Sequence, residues 1–127
     1  GAPASIREMQ QKKPEININV QVNARNAAEE GFEVSLVINV EAKIEDKSAF
    51  IVELDYAALF GVRNLPKDQL EPLLLVQCPQ LMFPFARRIL ADVSRDGGYM
   101  PLLIDPIDFG ALYQHYKARG EAEIKPN

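Results

Sequence analysis

This sequence has one histidine, His115, and one cysteine, Cys78, which belong to residue types that often act in catalysis. A thiolate and an imidazole can work together as nucleophile and base, but these two lie on different predicted helices, and neither sits in a local motif of that chemistry. His115 falls beside Gln114 on the polar side of the last predicted helix, which is typical of an exposed imidazole. Cys78 precedes Pro79, which indicates a residue packed at a helix junction. The sequence therefore predicts no catalytic residue.

The sequence pattern also argues against cofactor, metal and nucleic-acid sites. No cluster of Cys, His or carboxylate residues has the spacing of metal ligands, and the glycines are scattered at turns rather than gathered in a phosphate-binding loop. With 14 Lys and Arg against 18 Asp and Glu, the chain lacks the positive charge on which non-specific nucleic-acid binding depends. Basic proteins are the more plausible partners.

Size and composition are those of a single domain of 127 residues. No apolar stretch approaches the roughly 20 residues of a membrane span. A lone cysteine without a secretory leader fits a reducing, cytoplasmic compartment, although a mature exported chain would also have lost its leader. We interpret residues 1–14 as an extended arm, 15–120 as the domain and 121–127 as a flexible tail.

Three stretches alternate with the period of two that marks half-buried strands. They begin at Glu15, Phe32 and Phe50, and polar breaks at 25–31 and 45–48 separate them. Even-numbered apolar residues form the inward face of each strand. Short connections favour an antiparallel sheet that is dry on one side and wet on the other.

After Gly61 the apolar spacing changes to that of helices. Asp68 is predicted to cap a short helix over 69–77, and a second helix is predicted over 80–95. The glycine pair that begins at Gly97 ends the second helix, as glycine does just past a helix.

A last helix is predicted to begin at Pro106, with Asp105 as its cap and Gly120 at its end. Its apolar stripe has helical spacing and consists of Phe109, Leu112, Tyr113 and Tyr116. An antiparallel sheet followed by two to three helices is an α+β fold.

Two features of the predicted surface could serve an interaction with a partner: the acidic outward face of the sheet and the large apolar area of its inward face. The wet face of the sheet carries Ile51 among the carboxylates Glu33, Glu41, Glu53 and Asp55, with Lys43 in opposition. Such a face is either ordinary solvation or a docking patch for a basic protein. Two modest helices are all that the sequence offers to cover the apolar residues of the inward strand face and of the stripe on the last helix. These apolar residues are either all core, or in part an open groove or subunit interface.

Residues 78–87 (CPQLMFPFAR) resemble the signature of the SecB protein-export chaperone family: CP, hydrophobic residues, FP, an aromatic residue and AR. Residues 49–54 are similar to the family's AF-x-x-E strand, and 14–16 to the start of its second strand. Residues 94–98 are similar to its turn after the long helix, and 106–116 to its last helix. The resemblance extends from Ala2 to about Gly120.

This resemblance implies a protomer with a four-stranded antiparallel sheet and two helices, assembled as a homotetramer built from two dimers. It implies a cytosolic holdase, without nucleotide or metal, that keeps preproteins unfolded and passes them to the translocase motor SecA. The family's client groove lies between the arm and the last helix, which implies a groove lined here by Ile6, Ile16, Ile18, Val20, Phe109, Leu112, Tyr113 and Tyr116. The SecA contact carries over onto Ile51 and Glu53.

Other expectations accompany this resemblance. Family members have a first strand upstream of the position of Gly1, so we expect that strand to be missing here and a sheet edge to be exposed. One alternative function is a SecB-like antitoxin chaperone dedicated to a single partner protein. A second is a small-ligand-binding or enzymatic α+β domain, although the groove offers only two tyrosine hydroxyls as polar groups.

Overall fold

Three long strands form the body of the sheet in the structure, a computed structural model that describes residues 14–126. They are β1 (Glu15–Ala28), β2 (Gly31–Ile44) and β3 (Lys47–Gly61). Neighbouring strands pair antiparallel and are joined by two-residue turns. Glu45 and Asp46 both have positive φ, as the turn of a tight hairpin requires.

The predicted break at 25–31 is too long, because β1 continues through Arg25 to Ala28. Ala24 is buried inward, and Arg25 on the outer face donates to Glu33 of β2 across 3.0 Å. A charged residue at an outward position therefore extends the alternation instead of ending it.

The inward face of the sheet is confirmed as the core face. Every even-numbered residue of β2 from Phe32 to Ile44 is buried, whereas the odd-numbered ones are partly exposed. The largest fully buried side chains come from this strand and from the helices packed on it: Phe109, Leu36, Ile38, Leu74, Leu90, Val34, Val40 and Pro79.

A short fourth strand changes the predicted sheet. β4 (Ile124–Lys125) pairs parallel with β1, so the strand order is β3-β2-β1-β4 and the sheet is mixed rather than antiparallel. The sequence predicts a flexible tail over 121–127, whereas the structure places part of that segment in the sheet. The α+β class is confirmed.

The first two predicted helices form one continuous helical run. It consists of α1 (Lys67–Pro72), a π-helical turn (Leu73–Gln77) and α2 (Cys78–Asp96). Proline disturbs a regular helix because it lacks an N–H and its ring crowds the preceding turn, and a π-helical turn is one way in which a helix absorbs such a disturbance. The predicted break before 80 is therefore wrong. Asp68 lies in the first turn of α1 and is not its cap, since Pro66 occupies that position.

The last helix, α3 (Phe109–Ala118), begins later than predicted. Its N-cap is Asp108, whose Oδ1 accepts a hydrogen bond from the Ala111 amide at 2.9 Å. The predicted cap Asp105 is wrong because the chain stays non-helical up to Asp108. Ile107, which the prediction placed in the helix, packs against the core from this non-helical segment. Gly120 follows the helix with a φ of 71°, in the left-handed region that ends many helices.

Candidate functional site

A groove separates α3 from the edge of the sheet. It contains a cavity of about 110 Å³ whose walls come from four parts of the chain. The lining residues are Gln21, Val22 and Asn23 of β1, Leu75 of the π-helical turn, Leu112, Tyr113 and Tyr116 of α3, and Glu121 and Ala122. The amphipathic stripe of α3 thus supplies one wall and β1 the other.

The predicted α3 residues divide between the core and the groove. Leu112, Tyr113 and Tyr116 line the cavity, although Tyr113 is itself buried. Phe109 is not among the lining residues: it is 1% exposed and lies edge-on to Phe83, with ring centroids 6.0 Å apart. The stripe of α3 is therefore core at its beginning and groove wall further on.

The predicted β1 residues lead along the sheet edge towards the cavity. Ile16 and Ile18 are 37% and 43% exposed, which is unusual for isoleucine in a strand, and Val20 is half-buried. Among the described residues, β1 has a strand partner on its outer side only at Ala24 and Arg25. The predicted groove residue Ile6 lies outside the described residues.

Sequence reasoning missed several lining residues. Val22 could have been included, because it continues the alternation of Ile16, Ile18 and Val20. Leu75 and Ala122 carried no such signal, since their place in the cavity depends on how the helical run and the last residues fold back onto β1.

Hydrogen bonds hold α3 in position above the groove. The Tyr113 hydroxyl donates to Oε1 of Glu71 at 2.8 Å, and Nζ of Lys117 lies 3.0 Å from the Tyr113 hydroxyl and 3.3 Å from the same carboxylate oxygen. The Tyr116 hydroxyl donates to the carbonyl of Val20 at 3.4 Å. Side chains of α3 therefore fasten the helix to both α1 and β1.

These contacts shift two pKa values. The hydrogen bond from Tyr113 is the main reason that the pKa of Glu71 is lowered, against the opposing effect of burial. Hydrogen bonds with Tyr113 and Glu71 raise the pKa of Lys117. Both shifts favour the charged forms, so the tether is an ion pair reinforced by a phenol.

We expect the Glu71 tether to make stability depend on acid pH. A lowered carboxyl pKa adds stability that is complete above the unfolded-state pKa and is lost as pH falls through the folded-state pKa. Glu71→Gln should lower the free energy of unfolding by about 1 kcal/mol at neutral pH and flatten its decline in acid. Urea titrations across the acid range would measure this. An unchanged acid dependence in Glu71→Gln would contradict it.

The outer face of the sheet presents a second candidate surface, centred on Ile51 and Glu53. Ile51 is 61% exposed and lies opposite Glu41, and Glu53 lies opposite Asn39. Ile51 borders a hollow of about 250 Å³ whose other lining residues are Asn17, Ile18, Asn19, Asn39, Val40 and Glu41.

Ion pairs reduce the acidic character of this face. Glu33 pairs with Arg25 at 3.0 Å, and Glu41 with Lys43 at 3.5 Å. Within residues 14–126, Glu53 and Asp55 make no ion pair. The uncompensated negative charge therefore lies along β3, directly beside the exposed Ile51.

The residues that could support other chemistry are not brought together. Cys78 is buried where the π-helical turn meets α2, as the sequence predicts, and burial raises its pKa to about 11. His115 is exposed, with its ring 5.6 Å from that of Tyr116. In the described part of the chain no three His, Cys, Asp or Glu residues are grouped to hold a metal ion. No described helix combines the length and apolar character that crossing a membrane requires.

An α+β domain in which, among the described residues, most of one strand edge is unpaired beside a groove of mixed polar and apolar lining is the class of protein that this fold and site define. Residues 1–120 match the family described as "Preprotein translocase subunit SecB". A protein-export protein SecB from Paramagnetospirillum magneticum is 50% identical over 123 residues, which cover 97% of this chain and 79% of the relative. A second, from Parvibaculum lavamentivorans, is 50% identical over 129 residues and covers 99% and 76%. The chain belongs to the SecB family of protein-export chaperones.

A solved structure shows that the fold agrees as well. It is a SecB-like chaperone from Mycobacterium tuberculosis in complex with a peptide from an antitoxin, with a TM-score of 0.63 and 13% sequence identity. The match covers 76% of this chain and 74% of that chain. At this identity the likeness concerns the fold alone.

Proposed function

We propose that this protein is a cytoplasmic holdase that binds unfolded preproteins in the groove beside β1 and delivers them to the SecA motor, without catalysis or cofactor. The observation that carries the proposal is the edge of β1, which within residues 14–126 has no strand partner before Ala24, next to a groove whose walls include Val22, Leu75 and Leu112. Ile16 and Ile18 stand exposed along that edge, and the cavity lies at its further end. An unfolded chain offers what such a site binds: unpaired backbone groups and alternating apolar side chains.

The groove suits clients of many sequences. Strand addition gives affinity through the main chain, which every client shares, and the cavity adds one apolar contact at a time. Weak contacts repeated over several grooves of one assembly give avidity and still permit release. A small-ligand site is disfavoured, because about 110 Å³ is well below the roughly 300–1,000 Å³ of typical ligand pockets.

A homotetramer formed from two dimers would supply those several grooves. One face of α2 supports self-association, because three large apolar residues at helical spacing stand exposed along it: Leu81, Phe85 and Val93. Exposed apolar stripes of this kind are commonly buried between subunits.

The SecA contact is proposed at Ile51 and Glu53. An exposed apolar side chain beside uncompensated carboxylates suits a basic partner, since the charges steer the encounter and the isoleucine is desolvated on binding.

Light scattering during titration with an unfolded, slow-folding preprotein tests the proposal. We expect a particle of four chains that gains mass with the unfolded client and not with its folded form. A protein that ignores preproteins but captures one dedicated partner would instead be an antitoxin-type chaperone. A monomer that ignores every unfolded client would contradict the holdase.

The groove wall itself can be tested with Leu112→Glu. A carboxylate on the half-buried wall must be desolvated by any apolar client, so we expect the affinity for client to fall about tenfold or more. Fluorescence titration with a labelled client would measure the loss. Gln114→Glu on the same helix is the matched control, because Gln114 is exposed and does not line the cavity. Equal losses in both variants would argue against the groove.

A further inference from the structure

The last described residues occupy one end of the groove. Ile124 lies beside Ala24 and Lys125 beside Arg25 in parallel register. Extending that register by two residues places Ala122 beside Val22, and both line the cavity. The Glu121 amide donates to the Tyr116 carbonyl at 2.8 Å, which directs the chain from the end of α3 onto the sheet edge.

The site that residues 121–126 occupy combines a strand edge with a side-chain pocket. Ala122 and Ile124 are half-buried and pack against the core, whereas Glu123 and Lys125 point into solvent. The alternation is that of an ordinary edge strand, apolar inward and charged outward. The segment therefore fits the site in the way that an extended client would.

We propose that residues 121–126 compete with clients for the groove, an inference that rests on the function proposed above. These residues pair with the β1 edge at Ala24 and Arg25 and form one wall of the cavity. A client strand can pair with this part of β1 only by displacing residues 121–126, and it binds parallel to β1 as β4 does. Its preferred pattern is an apolar residue in the place of Ala122, a solvated residue, and a branched apolar residue in the place of Ile124.

The competition is weak enough to be reversible. β4 consists of two residues, and so short a pairing opens far more easily than the body of a sheet. The affinity of a client for an occupied site falls in proportion to the fraction of molecules whose site is free. The cavity of about 110 Å³ beside Ala122 remains unfilled by the methyl group, so a client with a larger apolar side chain at that position has the advantage.

Releasing the segment while leaving the cavity walls from β1, the π-helical turn and α3 unchanged tests the competition. We expect Ile124→Asp, and a chain ending at Gly120, to bind an unfolded client about three- to tenfold more tightly than the full chain. Glu123→Gln is the matched control, since that side chain is exposed and the variant should bind as the full chain does. Equal affinities in all four proteins would overturn the competition and leave the holdase intact. Failure of all four to bind any client would overturn both.

The direction of entry has its own test. A peptide of residues 119–127 is added to the isotope-labelled chain that ends at Gly120, with a nitroxide at either end of the peptide. Parallel docking predicts that a label at the carboxyl end broadens the amide signals of Ala27 and Ala28, and that a label at the amino end broadens that of Val20. The reverse pattern, or no broadening, would overturn the proposed parallel docking.

Discussion

Replacing Phe109 by alanine is expected to lower the free energy of unfolding by about 3–5 kcal/mol. Its ring is almost wholly buried at the start of α3 and packs edge-on against Phe83. Truncation leaves a void beneath the helix that the surrounding residues can fill only in part, and the lost ring contacts add to the cost. Urea unfolding of the two proteins would measure the difference.

Two further variants separate a core role from a groove role for this residue. Phe109→Leu keeps most of the volume and should cost much less than alanine. Leu112→Ala removes a half-buried wall residue of the groove, so its larger effect should be on client affinity. A Phe109→Ala protein that keeps its stability but loses client binding would contradict the assignment of Phe109 to the core.

The contrast between Phe109 and its neighbours shows what helical spacing can predict about a residue and what it cannot. Spacing alone places Phe109, Leu112, Tyr113 and Tyr116 on one face of α3, and that is confirmed. It cannot say where along the helix the opposing surface ends. Phe109 meets Phe83 of α2, whereas Tyr116 reaches over the sheet edge to the carbonyl of Val20. That difference depends on tertiary packing.

Strand patterns in this sequence were more informative than helix caps. An alternation of period two fixes both the strand and its buried face, as β2 shows along its whole length. Asp105 and Asp108 are equally good cap acceptors by residue type. The structure uses Asp108, and Ile107, which lies between the two candidates, packs against the core before the helix begins. Residue type alone therefore cannot choose between the two caps.

The charge of the outer face of the sheet also depends on contacts that the sequence alone does not show. Composition along the strands shows an excess of carboxylates, but only the register shows which are neutralised across the sheet. Arg25 lies opposite Glu33, and their ion pair removes Glu33 from the acidic field. Of the four carboxylates predicted on this face, Glu53 and Asp55 are the two that make no ion pair within residues 14–126, so the unpaired patch is smaller than the sequence indicates.

Charge reversal at Glu53 is expected to weaken the proposed binding of SecA about tenfold or more. Glu53→Lys replaces an uncompensated carboxylate beside Ile51 with an ammonium group that repels a basic partner. Ile51→Asp should have an effect of similar size, because it removes the apolar side chain whose burial against SecA favours binding. Calorimetric titration with isolated SecA would measure both, and client capacity should stay unchanged because neither residue lines the groove beside α3.

A matched control separates a docking patch from a general effect of net charge. Asp105→Lys makes the same change in charge on the segment before α3, away from the strands. If attraction to the whole acidic chain governs binding, both reversals should weaken it equally, and the loss should be largest at low salt, where screening is least. If Ile51 and Glu53 form the contact, Asp105→Lys should bind SecA nearly as the unmodified chain does, and the deficit of Glu53→Lys should persist at physiological ionic strength. Equal behaviour of the two variants would contradict docking at β3.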